Sequence, residues 1–196
     1  MTPKTFIFIG RSGCGKGTQV KLLQEYLAKN DSSKKPVFYL ETGAQFRDFI
    51  KGQSLTSKLS NEIYKTGARQ PDFLAIWIWS HLLVENLTGD EHLIIDGTPR
   101  SLDEAKVLHT AIRFYKRAKP YVIYLDVSRE WSEQKLLGRG RFDDDKAEVK
   151  KRLDWYEADV APAVEYFRKD PEVIFLDIKG GRTIQEVHQD IISAIA

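Results

Sequence analysis

A chain of 196 residues can bury one substantial core and is short enough for a single domain spanning 1–196. With 42% hydrophobic residues and a formal net charge of +2, it is not a disordered chain, and its bulk charge makes no case for a nucleic-acid or membrane partner. Cys14 is its one cysteine, which excludes an internal disulfide and points to a reducing compartment. The opening MTPKTFIFIG has too short an apolar run for a signal peptide, and no stretch approaches ~18 consecutive apolar residues. A cytoplasmic protein is expected.

Period and punctuation predict alternating strands and helices. Residues 4–9 (KTFIFI) read as a buried strand and 16–29 as a helix with Val20, Leu22, Leu23 and Leu27 near one face. PVFYL at 36–40 is a second strand, followed by short helical stretches over 43–51 and 55–66. Pro71 suits the first turn of a helix running to about Leu87. HLIID at 92–96 and YVIYLDV at 121–127 are strands, each followed by a helix, 101–118 and 129–137. A long helix over 145–169 contains Pro162, which bends or divides it; VIFLDI at 173–178 and a helix from Thr183 end the chain. Short apolar strands separated by helices imply a parallel sheet covered on both faces, with ligands beyond the carboxyl ends of the strands.

The first strand opens into FIFIGRSGCGKGTQ at 6–19. Gly10, Gly13, Gly15 and Gly17 let the backbone turn tightly and bring N–H groups close to phosphate oxygens, and the next helix adds its positive end. Lys16 supplies a mobile cation for the outer phosphates. The spacing Gly10-x-x-x-x-Gly15-Lys16 is that of a P-loop, although Gly17 follows and the hydroxyl comes only at Thr18. A nucleotide is implied; an ATPase, a GTPase switch and a small-molecule kinase stay open at this point. The N-K-x-D guanine reader that a GTPase would carry is absent.

The order Lys16-Gly17-Thr18 resembles the nucleoside monophosphate kinases, above all the adenylate kinase family, whose loop reads G-x-P-G-x-G-K-G-T-Q; Ser12 stands here at the proline. The resemblance runs from Thr5 to about Ile192. It implies a P-loop three-layer α/β fold with a central parallel sheet of about five strands. It also implies a helical acceptor-binding insert over 42–71 and a very short lid over 136–145. ATP would be held by Gly13, Cys14, Gly15, Lys16, Gly17 and Thr18, with Arg139 from the lid segment. Cys14 is expected as a small filler, or as a thiol whose alkylation ATP would slow.

For the acceptor, ETGAQFR supplies Thr42, Gly43 and Arg47, matching the family's T-G-x-x-x-R segment, and an arginine there can fork onto a monoester phosphate. GARQPDFL matches G-x-x-V-P-D, with Arg69 and Gln70 at positions that are usually apolar. In LIIDGTPRSLDEA, matching D-G-F-P-R, Arg100 is the second phosphate clamp beside Gly97, and Asp96 with Thr18 would serve Mg2+, largely through water. Glu104 stands where the family reads adenine with glutamine. An ionised carboxylate only accepts hydrogen bonds, so it suits guanine N1–H and N2–H better than adenine N1. GMP is therefore a rival acceptor, unless Glu104 turns into solvent or binds through water.

The last third carries LLGRGRFDDD at 136–145 and Arg152. Arg141 and Arg152 match the lid arginines of R…R-x-D-D…R, Arg139 matches the arginine before them, and Lys135 stands where some members have another. Four tryptophans are expected mainly to pack, and the four histidines carry no catalytic or metal-ligand spacing. The implied activity is reversible transfer of the γ-phosphoryl of MgATP to AMP, giving two ADP, with Lys16, Arg100, Arg139, Arg141 and Arg152 around the moving group. Alternatives are a kinase for GMP, CMP or UMP, or a non-catalytic nucleotide-binding protein. The expected partners are the nucleotides ATP, AMP and ADP alone, without nucleic acid or membrane, and a monomer is expected.

Overall fold

The apolar strands are explained by burial on both faces. In β1 (Thr5–Gly10) the side chains alternate. Ile7 and Ile9 join a core with Trp79, Leu83, Leu108 and Phe167, while Phe6 and Phe8 join another with Val20, Leu23, Ile191 and Ile195. The computed structural model describes residues 2–140 and 145–195, the side chain of Arg139 excepted. Among these residues no helix is long and apolar enough to cross a membrane.

After β1 come α1 (Lys16–Asn30), β2 (Val37–Glu41), α2 (Thr42–Phe49), α3 (Leu55–Lys65) and α4 (Asp72–Asn86). They are followed by β3 (His92–Asp96), α5 (Leu102–Phe114), β4 (Tyr121–Asp126) and α6 (Arg129–Arg139). The chain ends with α7 (Lys146–Trp155), α8 (Ala161–Arg168), β5 (Ile174–Lys179) and α9 (Ile184–Ile195). The described strands form one parallel sheet in the order β2-β3-β1-β4-β5. The predicted α/β architecture is thus the observed one. Strand order reverses between β1 and β3, so their carboxyl ends flank the crevice where such sheets take ligands.

Most predicted boundaries shift by a residue or two, and three of the shifts have a clear local reason. The helix expected to reach residue 118 stops at Phe114, because Lys116 turns left-handed at φ 51. That turn sends Arg117 inward, where it donates to Thr5 Oγ1, Lys4 O and Glu91 O. The helix expected over 145–169 is divided by a π-helical turn, Tyr156–Val160. Pro162 lies just beyond that turn; it has no N–H for the preceding carbonyls, and the wider turn accommodates its ring. α9 begins one residue later than expected because Thr183 caps it: Thr183 Oγ1 accepts from Glu186 N at 3.3 Å, and Glu186 Oε2 accepts from Thr183 N at 2.9 Å.

Candidate active site

The glycine-rich loop turns from β1 into α1 at the reversal of strand order. Gly13 (φ 82) and Gly15 (φ 97) adopt the left-handed backbone that favours glycine. Gly13 also has no room for a side chain, since a Cβ there would lie 2.9 Å from Ser132 O and 3.0 Å from Leu136 Cγ. Lys16 Nζ donates to Gly10 O at 2.8 Å and Arg11 O at 2.9 Å, which places its ammonium on the loop. Arg11 ties the loop to the π turn through Glu157 (2.7 Å) and the ring of Tyr156 (4.2 Å). Cys14 is 7% exposed and packs with the Phe6–Phe8 core, which suits the filler role rather than that of an open thiol.

Beside the loop, β3 ends in Asp96, with Phe8 as its partner across the strands. Asp96 is 7% exposed and accepts from Tyr39 Oη at 3.3 Å. Burial pushes its carboxyl up against the opposing pull of Lys16. Thr18 and Asp96 line one cleft of about 950 Å³. A buried carboxylate whose pKa burial raises despite Lys16 and Tyr39, together with a hydroxyl lining the same cleft, is a donor set that fits a magnesium ion and its waters.

The two predicted clamp arginines meet. A Cβ built on Gly43 would lie 3.3 Å from Arg47 Nη1 and 3.7 Å from Arg100 Nη2, so both guanidinium groups close over this glycine. A Cβ on Gly97 would lie 3.3 Å from the same Arg100 nitrogen. Arg47 is steadied by Glu41 Oε1 at 2.8 Å. Arg100 donates Nε–H to Gly97 O at 2.8 Å, and its guanidinium carbon stands 5.6 Å from the centre of the Trp155 ring. Thr42 Oγ1 and Thr98 Oγ1 are 2.8 Å apart and join the start of α2 to the Gly97 turn.

Glu104 is 1% exposed and lines the same cleft, which counts against the alternative in which it turns into solvent. Its Oε2 lies 3.5 Å from Thr98 Oγ1 and its Oε1 3.9 Å from Arg69 Nη1. Burial raises its pKa to about 7, against the pull of Arg100. Arg69 is held by Asp72 and, at 3.3 Å, by Asp159 of the π turn. Gln70 gives its amide to α3: Oε1 accepts from Ser60 Oγ and Nε2 donates to Ser60 O, both at 2.9 Å. The polar residues at these usually apolar positions therefore brace the turn between α3 and α4, while still lining the cleft.

Arg152 lines the cleft from α7. That helix also touches the α3–α4 turn: Trp155 Nε1 donates to Gly67 O at 3.3 Å, and Lys151 Nζ donates to Thr66 O at 2.9 Å. Of the other predicted lid residues, Arg141 and the side chain of Arg139 lie outside the described residues. At the far end of the cleft, Lys135 Nζ stands 4.6 Å from the ring centre of Trp131, and Gln19 Nε2 donates to Ile184 O at 3.0 Å.

Sequence reasoning missed Tyr39, Trp131, Trp155 and the segment 180–184 as cleft lining. Of the tryptophans expected to pack, Trp79 does so fully, whereas Trp131 and Trp155 face the cleft. The glycine pair after β5 was the available signal for 180–184, since it too follows the carboxyl end of a strand. Two unassigned histidines find acids at the other end of the sheet: His92 Nε2 lies 3.3 Å from Asp31, and His109 lies 2.9 Å from both Asp170 and Glu172.

A family model described as "Adenylate kinase" matches residues 8–172. An adenylate kinase of Prochlorococcus marinus strain AS9601 is 30% identical over 188 residues, 96% of each chain. One of Leptospira biflexa is 29% identical over 196 residues, 98% of this chain and all of the other. One of Oenococcus oeni is 29% identical over 178 residues, 90% of each. Matched along nearly all of its length, with the phosphate loop, the strand-end aspartate and the paired arginines in one cleft, the chain belongs to the adenylate kinase family.

Proposed function

We propose that the chain moves the γ-phosphoryl group of MgATP to AMP, reversibly, giving two ADP. One observation carries this reading: a single cleft has the phosphate loop in one wall and the converging guanidinium groups of Arg47 and Arg100 in another. Two polyanions bound there would meet through their terminal phosphates.

In this reading residues 13–18 hold the ATP phosphates through backbone N–H groups, and Lys16 swings from the loop carbonyls to follow the γ-phosphate. Thr18 and Asp96 would hold magnesium, largely through water, and the ion would neutralise charge on the outer phosphates. Thr42 and Gly43 shape the acceptor pocket, Arg47 and Arg100 orient the AMP phosphate, and Gly97 lets Arg100 approach. Arg69, Gln70 and Glu104 flank the base. A phosphate oxygen of AMP forms the new bond to phosphorus as the bond to the ADP leaving oxygen breaks, and the electron pair stays with ADP. The attacking oxygen is already anionic at neutral pH, so no general base is required. The chain's contribution is alignment and positive charge. We assign Arg139, Arg141 and Arg152 to that charge on their match to the family motif, with residues 42–71 as acceptor insert and 136–145 as lid. A monomer and a cytoplasmic location belong to the same reading.

Initial rates with MgATP and each of AMP, GMP, CMP and UMP test the proposal. AMP turnover is expected, and Arg152→Ala should lower kcat about 10³-fold, equivalent to ~4 kcal/mol, while folding survives. ATP binding without turnover of any monophosphate would refute it.

A further inference from the structure

Glu104 is a carboxylate in an unusual place. It stands on the first turn of α5, four residues after the phosphate clamp Arg100, buried and facing the cleft. A nucleotide whose phosphate rests on Arg47 and Arg100 would extend its base toward this side chain. The charged groups around it come from four other segments. Arg69 approaches from the α3–α4 turn, backed by Asp159 of the π turn; Asp72 opens α4; and Arg100 precedes α5. Arg69 is already engaged by Asp72 and Asp159 and stays 3.9 Å from Glu104, beyond hydrogen-bond reach, so no charge-assisted bond from it fixes the carboxylate. Thr98 Oγ1, at 3.5 Å, can donate to the ionised carboxyl or accept from the protonated one.

We propose that Glu104 selects the acceptor base according to its own protonation, taking AMP when the carboxyl carries its proton and GMP when it does not. This rests on the reading of the cleft as a monophosphate kinase site. A protonated carboxyl presents one O–H donor and one carbonyl acceptor, the same pair as a glutamine amide. It can donate to adenine N1 and accept from adenine N6–H. Ionised, it presents two acceptors, which match the adjacent N1–H and N2–H of guanine and oppose the lone pair of adenine N1. Its buried place in the cleft wall, four residues after Arg100, would set the group toward the base of a nucleotide clamped there, and burial brings its titration to about pH 7, where both forms are populated.

The test is the ratio of kcat/KM for GMP to that for AMP, measured with saturating MgATP from pH 6 to pH 8. Changes shared by both acceptors, such as ionisation of their phosphates, cancel in this ratio. Between one unit below and one unit above the titration point, the competent fraction for AMP falls about tenfold and that for GMP rises about tenfold. The ratio should therefore rise up to about 100-fold, mainly through the two KM values, while Glu104→Gln should give a low ratio that does not change with pH. A flat ratio in the native chain despite good AMP turnover would overturn this proposal alone, and so would an unchanged pH dependence in Glu104→Gln. If the variant does not fold, the native ratio still decides. No turnover of any monophosphate at any pH would overturn the kinase reading and this inference with it.

Discussion

Two glycines of the phosphate loop should respond in opposite ways to the same added methyl group. Gly13 has φ 82, and alanine in that conformation costs ~1–2 kcal/mol. Its Cβ would also fall 2.9 Å from Ser132 O and 3.0 Å from Leu136 Cγ. The first contact is backbone of α6, and Leu136 is fully buried with Val149 and Leu153, so neither yields easily. Overpacking of this kind costs ~1–3 kcal/mol. Gly13→Ala should therefore lose about 2–5 kcal/mol. Gly17 is already in α1, and a Cβ there meets nothing within 4 Å. Gly17→Ala removes a poor helix former and should be neutral or gain up to ~1 kcal/mol. Urea unfolding without nucleotide, analysed by linear extrapolation, measures both. Equal destabilisation of the two variants, or a Gly13→Ala chain as stable as the native one, would refute the steric account of this loop.

Other substitutions probe the acceptor end and the frame. Arg100→Lys leaves one ammonium to serve both Gly97 O and a phosphate, so kcat/KM for AMP should fall about 10- to 100-fold, the loss of a charge-assisted hydrogen bond, with little change in melting temperature; an unchanged kcat/KM would contradict the clamp. Asp31 accepts from Ser33 N at 3.1 Å and Lys35 N at 2.9 Å and faces His92 Nε2, all remote from the cleft. Asp31→Ala should cost ~2–4 kcal/mol in urea while KM values hold, and a loss below ~0.5 kcal/mol would count against that role. Glu104 has a folded pKa of about 7, above the ordinary value near 4.5, so the folded chain keeps this proton longer than the unfolded one. Its stabilising contribution is complete below about pH 4.5 and is lost as pH rises through 7. Relative to Glu104→Gln, native stability should drop by up to about 3 kcal/mol between pH 5 and pH 8, and a pH-independent difference would refute the burial argument.

Much of the frame was legible because it depends on local pattern. The strands announce themselves as short apolar runs, and the phosphate loop carries its chemistry in consecutive residues. Gly43, Arg47, Gly97 and Arg100 were legible through their match to the family's motifs, whereas each arginine taken alone would read as a solvated surface charge. Features that depend on distant partners were not. Nothing near Gln70 in sequence says that Ser60 takes up its amide. Nothing beside Trp155 reveals that its ring faces Arg100 while its N–H reaches Gly67. The burial of Glu104 was hidden for the same reason: α4, Thr98 and the α3–α4 turn enclose it, and their approach is set by the fold. The early end of α5 followed from a left-handed lysine that no propensity favours.

The central claim is that one cleft receives two nucleotides with their phosphates meeting. Isothermal titration with two adenosines joined through five phosphates, in the presence of magnesium, tests it most directly. The account predicts one molecule per chain, held at least about 100-fold more tightly than ATP, because the second contact is intramolecular. Affinity no better than that of ATP would contradict it.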